Sequence, residues 1–358
     1  MEQLFNFNLE KISNSSENEA LDREKNLKLF LDNGFPSKKD ENWKFTDLNF
    51  IINKNFKHIT NNLDSELEKK VDVIKDFDHN HIVLVNGILK TSNIKFEDEG
   101  KVKLEGLTSI KDFDYEPNNN LSFLNRALSL GGFNLEIQKN YTCKKPIIIY
   151  NYFTSKLDNK IINNSNKIKL NQNSELILIE YNIGEKSKFI KNTFEKVIID
   201  KDAIFKNISI QKKKSNGYFY KHISGSQGHN SSYQNFILTS GLKLNKVEID
   251  MNLEKENSNC FILSSLFLGR GEHQEIKSKI NHLTPNCKSY QKIKNVLEED
   301  GVGVYQGKIF VKDIAQKTNA YQLSKALILN DLAEFNAKPE LEIYADDVKC
   351  SHGSASGS

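Results

Sequence analysis

Val197-Ile-Ile-Asp-Lys-Asp-Ala-Ile-Phe-Lys-Asn-Ile-Ser-Ile210 holds two short alternating runs, Val197/Ile199 and Ile208/Ile210, on either side of a polar turn. Alternation at period two buries one face of a strand and exposes the other. The same pattern recurs at Leu176/Leu178, Val247/Ile249, Ile309/Val311 and Leu341/Ile343, with Asn, Asp, Gly and Ser between the runs. Asp202-Ala-Ile-Phe205 and Leu332-Ala-Glu-Phe335 both place a small residue and an aromatic two apart after a polar turn, a weak internal similarity. Many short strands without helix signals between them predict a mainly β fold, either a large sandwich or a β-helix of coils of about 20 residues. Periodicity leaves both open.

Working outward, the chain changes character at Gly131-Gly132. Before it, Leu121 to Leu130 reads as a helix; from Phe133 onward the chain is strand-like. Nearer the start, Glu17 to Asn33 predicts a helix with Leu27, Phe30 and Leu31 on one face and Ser15 or Ser16 as cap. Gly34 and Pro36 then stop it. A strand is expected at His81 to Val85, so residues 1–120 read as a mixed α/β region and 121–358 as the β core.

With 50 Lys and Arg against 47 Asp and Glu, the net charge of +3 gives no strong field for nucleic acid. The densest basic run, Lys212-Lys-Lys214, reads as a solvated turn, and the abundance of Asn, Lys and Ile as a genomic bias. The N-terminus lacks a secretory pattern. The most apolar segments, Pro146 to Tyr150 and Leu176 to Ile179, fall far short of the ~20 residues that cross a bilayer. A soluble cytoplasmic protein is expected, with no membrane partner. Cys143, Cys260, Cys287 and Cys350 form no Cys-x-x-Cys pair and are expected to be reduced.

Gly269-Arg-Gly271 and Gly301-Val-Gly303 match no nucleotide fingerprint, and Lys101 and Lys308 are followed by Val102 and Ile309 rather than Ser or Thr. The chain is therefore expected to bind no ATP. Neither Gly-x-Ser-x-Gly nor His-Glu-x-x-His occurs, and His58, His79, His81, His222, His229, His273 and His282 are scattered and read as surface or structural residues. No catalytic residue is assigned, and the chain is not expected to be an enzyme. The exception to this bland reading is Val348-Lys-Cys350-Ser-His352. If extended, it projects Cys350 and His352 from one face, a thiolate and an imidazole suited to iron, an iron–sulfur cluster or zinc. Two ligands do not complete a site that normally takes four, so the others must come from another coil, another chain or sulfide.

Lys338-Pro-Glu-Leu-Glu-Ile-Tyr-Ala-Asp-Asp-Val-Lys-Cys-Ser-His-Gly353 resembles the signature of the SufB/SufD family, and Lys-Cys-Ser-His-Gly its SufD branch. Val304 to Val311, Ala315 to Ala320 with Gln322, Phe35-Pro36 and Glu41 to Asp47 are similar to further family blocks. The resemblance implies a right-handed parallel β-helix after an N-terminal helical region. It also implies a scaffold subunit of the SUF complex, assembled with SufB and the ATPase SufC for iron–sulfur cluster assembly. Cys350 and His352 would lie near the SufB interface and hold a transient cluster shared with SufB. Family members continue into a C-terminal helical region that docks SufC, whereas this sequence stops at Ser358, which makes SufC docking the weaker expectation. Two alternatives accompany this reading: a β-helix enzyme acting on polysaccharide through Asp346 and Asp347, and a purely structural partner of SufB.

Overall fold

The computed structural model describes residues 4–10, 12, 16–66, 71–107, 109, 118–184, 186–211 and 215–357. The Lys212–Lys214 run lies outside the described residues, as does Ser15.

The N-terminal region comprises β1 (Phe5–Asn6), α1 (Glu17–Asn33), α2 (Leu48–Asn55) and β2 (Ile59–Thr60), with β1 and β2 paired in parallel. Ser16 caps α1 by accepting from the Glu19 N–H, and Gly34, at φ 68°, ends it with its N–H on the Phe30 carbonyl. The apolar periodicity misjudged which face is buried. Phe30 is fully buried, but Leu31 is 43% exposed, and the rest of the buried face is Glu19, Arg23 and Asn26. Arg23 explains this: its guanidinium pairs with Glu19 at 2.9 Å and donates to the Ala127 and Ser129 carbonyls, both at 3.0 Å. These carbonyls lie at the end of α3 (Asn120–Leu128), so a buried cation binds the two helices together.

Three strands, β3 (Asn80–Val85), β4 (Ile88–Asn93) and β5 (Val102–Gly106), precede α3. After it the chain winds through β6 (Gly131–Ile137), β7 (Ile147–Phe153), β8 (Ile161–Leu170), β9 (Glu175–Gly184), β10 (Ile190–Ile199), β11 (Ile204–Gln211), β12 (Tyr218–Gln227) and β13 (Ser232–Ser240). It continues through β14 (Leu244–Leu253), β15 (Asn259–Leu268), β16 (His273–His282), β17 (Lys288–Leu297), β18 (Val302–Val311), β19 (Thr318–Ile328), β20 (Glu334–Ile343) and β21 (Val348–Gly357). Even-numbered strands from β6 to β20 form one parallel stack, joined at its start by antiparallel β5, giving nine strands. Odd-numbered strands from β7 to β21 form the other, extended by β3 and antiparallel β4 to ten. The architecture is a parallel β-solenoid of eight coils with a small N-terminal α/β region, and the sandwich alternative is excluded.

A repeated corner sets the coil length. From β6 to β19, between each even strand and the next odd one stands a residue in left-handed conformation: Asn140, Asn173, Asp202, Asn230, Asn257, Asn286 and Lys317, with φ between 53° and 62°. Asn and Asp tolerate this region because their short polar side chains bond locally. The Asn173 N–H donates to Lys201 O and the Asp202 N–H to His229 O, each on the following coil, so the corners stack. Successive corner residues lie 27 to 33 positions apart. Coils are longer than the expected 20 residues because most carry two strands of about ten.

The inward positions of both stacks fill the lumen. Ile, Leu, Val and Phe dominate it, but Asn, Gln, Ser and Thr enter at many rungs. At β9 to β12 the lumen holds a buried ion cluster, Glu180 and Glu195 with Lys221 at 2.6 and 3.1 Å, and Lys191 3.5 Å from Glu180. Burial opposes the charge on Glu180, yet Lys221 and Lys191 outweigh it and bring its pKa down to about 2.

Candidate functional site

β21 is the last strand of the ten-stranded sheet, paired on one side with β19. In-register stacking carries the alternation of the earlier coils through to it. Tyr233, Cys260, Ser289, Ala320 and Cys350 form one inward column, and Asn235, Ile262, Gln291, Gln322 and His352 the next. Cys350 and His352 thus share a face, and that face is the lumen. Cys350 is half-buried against the cluster of Ile309, Val311, Ala315, Ala320 and Ala345, whereas His352 is exposed. Burial pushes the Cys350 thiol above its ordinary value, with a backbone hydrogen bond at Ala320 acting the other way. Such a thiol stays protonated until a metal displaces its proton.

Under this pair lies a polar network. Gln322, the residue paired with His352, donates from Nε2 to the Glu340 carbonyl at 3.1 Å. The Tyr305 hydroxyl lies 3.0 Å from Gln322 Oε1 and 3.1 Å from Gln291 Oε1, and Ser278 donates to Gln291. Gly307 makes room for this network, since a β-carbon there would sit 2.2 Å from both Gln322 Oε1 and the Tyr305 hydroxyl. Tyr305, Gln291 and Ser278 escape sequence reasoning, because only the coil stacking brings them under the pair. Among the described residues no group of three or more His, Cys, Asp or Glu is placed to hold a metal ion. Cys350 and His352 share a face without a third His, Cys, Asp or Glu beside them among the described residues.

The other cysteines are also unpaired. Cys260 and Cys287 are fully buried in the lumen, and Cys143 is half-buried with its pKa pushed up to about 12 by burial. Cys287 sits 3.2 Å from the Ser258 hydroxyl, and His282 2.8 Å from that of Ser289. Asp346 and Asp347 both lie exposed at the corner between β20 and β21. No described helix is long and apolar enough to cross a membrane.

The N-terminal motif docks on the outside of the nine-stranded sheet. The Lys246 ammonium, fully buried, sits 4.2 Å from the centroid of the Trp43 ring and donates to the Asn42 carbonyl at 2.7 Å and to Glu275 at 2.5 Å. Gln306 donates to Glu275 at 2.6 Å and Thr46 donates to it as well, while Thr46 lies 2.8 Å from His273. Beside this cluster is a cavity of about 450 Å³, lined by Glu41, His222, Glu248, Asp250, Lys277 and Lys338 among others, with both charges interleaved.

Residues 152–358 match the family described as SUF system FeS cluster assembly, SufBD core domain, and residues 1–113 match the SufBD protein N-terminal region. The chain belongs to the SufBD family. The N-terminal match covers the motif clamped by Lys246, and the core match ends on the strand that bears Cys350 and His352. Iron–sulfur cluster assembly protein SufD of Escherichia coli is 23% identical over 93% of this chain and 79% of its own length. Protein ABCI7, chloroplastic, of Arabidopsis thaliana is 25% identical over 93% of this chain and 74% of its own. The SufBD family protein slr0076 of Synechocystis is 29% identical over 47% of this chain and 37% of its own length. The two long matches put this SufBD protein on the SufD branch, with a role in iron–sulfur cluster assembly.

Proposed function

We propose that this SufBD protein is a non-enzymatic scaffold subunit that assembles in the cytoplasm with a SufB-like subunit and a SufC-like ATPase. ATP is bound and hydrolysed by the SufC-like partner. Cys350 and His352 contribute a thiolate and an imidazole to a transient iron–sulfur cluster held between this chain and the SufB-like subunit. The cluster is cargo. The reading rests above all on the placement of both side chains on one face of β21, turned toward the lumen and stacked in register on Ala320 and Gln322. Two ligands leave a four-ligand site half complete, and the SufB-like subunit supplies the others.

The test is iron and acid-labile sulfide in the complex purified anaerobically after co-expression with SufB and SufC, comparing the native chain with Cys350→Ala/His352→Ala. The expected result is an intact complex that has lost most of its cluster. Equal iron and sulfide in an intact complex would leave this chain as a purely structural partner.

A further inference from the structure

The outward face of the ten-stranded sheet carries rows of apolar side chains, and among the described residues only its beginning is covered. Over β3, β7 and β9 the segment containing Val71, Val73 and Ile74 packs on Val83, Ile148, Tyr150 and Ile179, and the Ile74 N–H donates to the Tyr150 hydroxyl at 2.9 Å. Further along, the same register continues in rows: Phe236, Leu263, Lys292 and Leu323 in one, and Phe261, Tyr290 and Tyr321 in its neighbour. Tyr290 and Tyr321 stack with centroids 5.3 Å apart. The helices lie on the other sheet, α3 against β8 and β10, and Leu238 and Leu327 on this face are 43% and 45% exposed.

The charge on this stretch has one sign. The outward positions of β13, β15, β17, β19 and β21 carry Lys288, Lys292, Lys294, Lys325 and Lys349 and not one carboxylate. None of the five has an ion-pair partner among the described residues. Apolar rows of this extent, flanked by unopposed cations, mark an interaction surface for an apolar segment with acidic flanks.

The backbone decides the form of that segment. From β13 to β19 every strand is hydrogen-bonded on both sides, so a partner cannot add as a strand and must arrive with its own backbone satisfied. A helix does so. Rungs repeat at about 4.8 Å, close to the ~5.4 Å pitch of a helix laid across the strands. We propose that this face docks an acidic amphipathic helix of a partner protein, its apolar stripe on the Phe236 and Phe261 rows and its carboxylates on Lys292, Lys294 and Lys325. A bilayer would need no such linear order of side chains.

The full-length protein would be titrated with a synthetic peptide of about 18 residues bearing leucine on one face and glutamate on both flanks. A version with lysine for glutamate is the control. The glutamate peptide is expected to bind, and Lys292→Glu/Lys294→Glu/Lys325→Glu and Leu263→Ser/Leu323→Ser each to weaken binding at least about tenfold while circular dichroism and thermal midpoint stay native. Failure to bind, equal binding of the lysine peptide, or binding unchanged in both variants would overturn the proposal. So would self-association, or binding to phosphatidylglycerol vesicles, that depends on the three lysines when the peptide does not bind.

Discussion

The two outer faces of the solenoid are built from the same coils and treated in opposite ways. On the nine-stranded sheet cations and carboxylates interleave along and across strands, as in Lys279 with Asp250, Lys308 with Glu342 and Lys338 with Glu340 and Glu41. One edge of that face disappears under the N-terminal motif, where Lys246 and Glu275 are both wholly buried. On the ten-stranded sheet Lys206 pairs with Glu175 near its start, but from β13 to β21 the outward cations have no opposing carboxylates, and aromatic and aliphatic rows stand between them. Regular coils leave the outward positions free of any packing duty. Their residue types alone therefore decide whether a face is completed within the chain or left for another.

The contrast breaks most visibly at Lys246. Replacing it by Met strands the buried Glu275 carboxylate, and an expected loss of about 3–5 kcal/mol would be measured by urea unfolding. The double variant Lys246→Met/Glu275→Gln should recover at least half of that loss. If Lys246→Met is as stable as the native chain, the docked face does not depend on its ion pair.

The strand that carries Glu275 outward carries His282 inward, where burial brings its pKa down to about 4 from an ordinary 6.5. Between these values the unfolded chain takes up a proton that the folded chain refuses. Stability is therefore full above pH 6.5 and falls as the pH drops toward 4, by on the order of 3 kcal/mol for this one group. His282→Gln should flatten that part of the pH–stability curve, and His273, shifted in the same direction to about 4, should supply the slope that remains.

A smaller effect is expected at the corners that join the two faces. Asn257 has φ 62°, and Asn257→Ala should cost about 1 kcal/mol, read by chemical denaturation, while Asn257→Gly should be nearly neutral. Least of all, Lys294→Ala on the open face should change stability by less than ~0.5 kcal/mol. A large loss there would mean that the lysines already serve the fold.

Much of this fold was legible in the residues. The bounds of α1, the strand at β3 and the alternation from Phe133 onward follow from local pattern, which is where sequence carries most structural information. The coil length was not, because corners of uneven length blur the repeat and polar residues occupy inward positions that a periodicity count treats as outward. Asparagine richness read as compositional bias turns out to have a structural use as well, since Asn stands at five of the seven left-handed corners. The pairing of Trp43 with Lys246 was hidden for another reason: partners some two hundred positions apart leave no local signal. For Cys350 and His352, spacing on a strand implied a shared face, but only the in-register stacking on Ala320 and Gln322 shows that this face is the lumen.

The most direct test of the ligand assignment is the iron K-edge absorption spectrum of the anaerobically purified complex with SufB and SufC, recorded for the native chain and for His352→Ala. The account predicts sulfur scattering at iron with a nitrogen contribution that disappears in the variant. Superimposable spectra from two equally loaded complexes would contradict it.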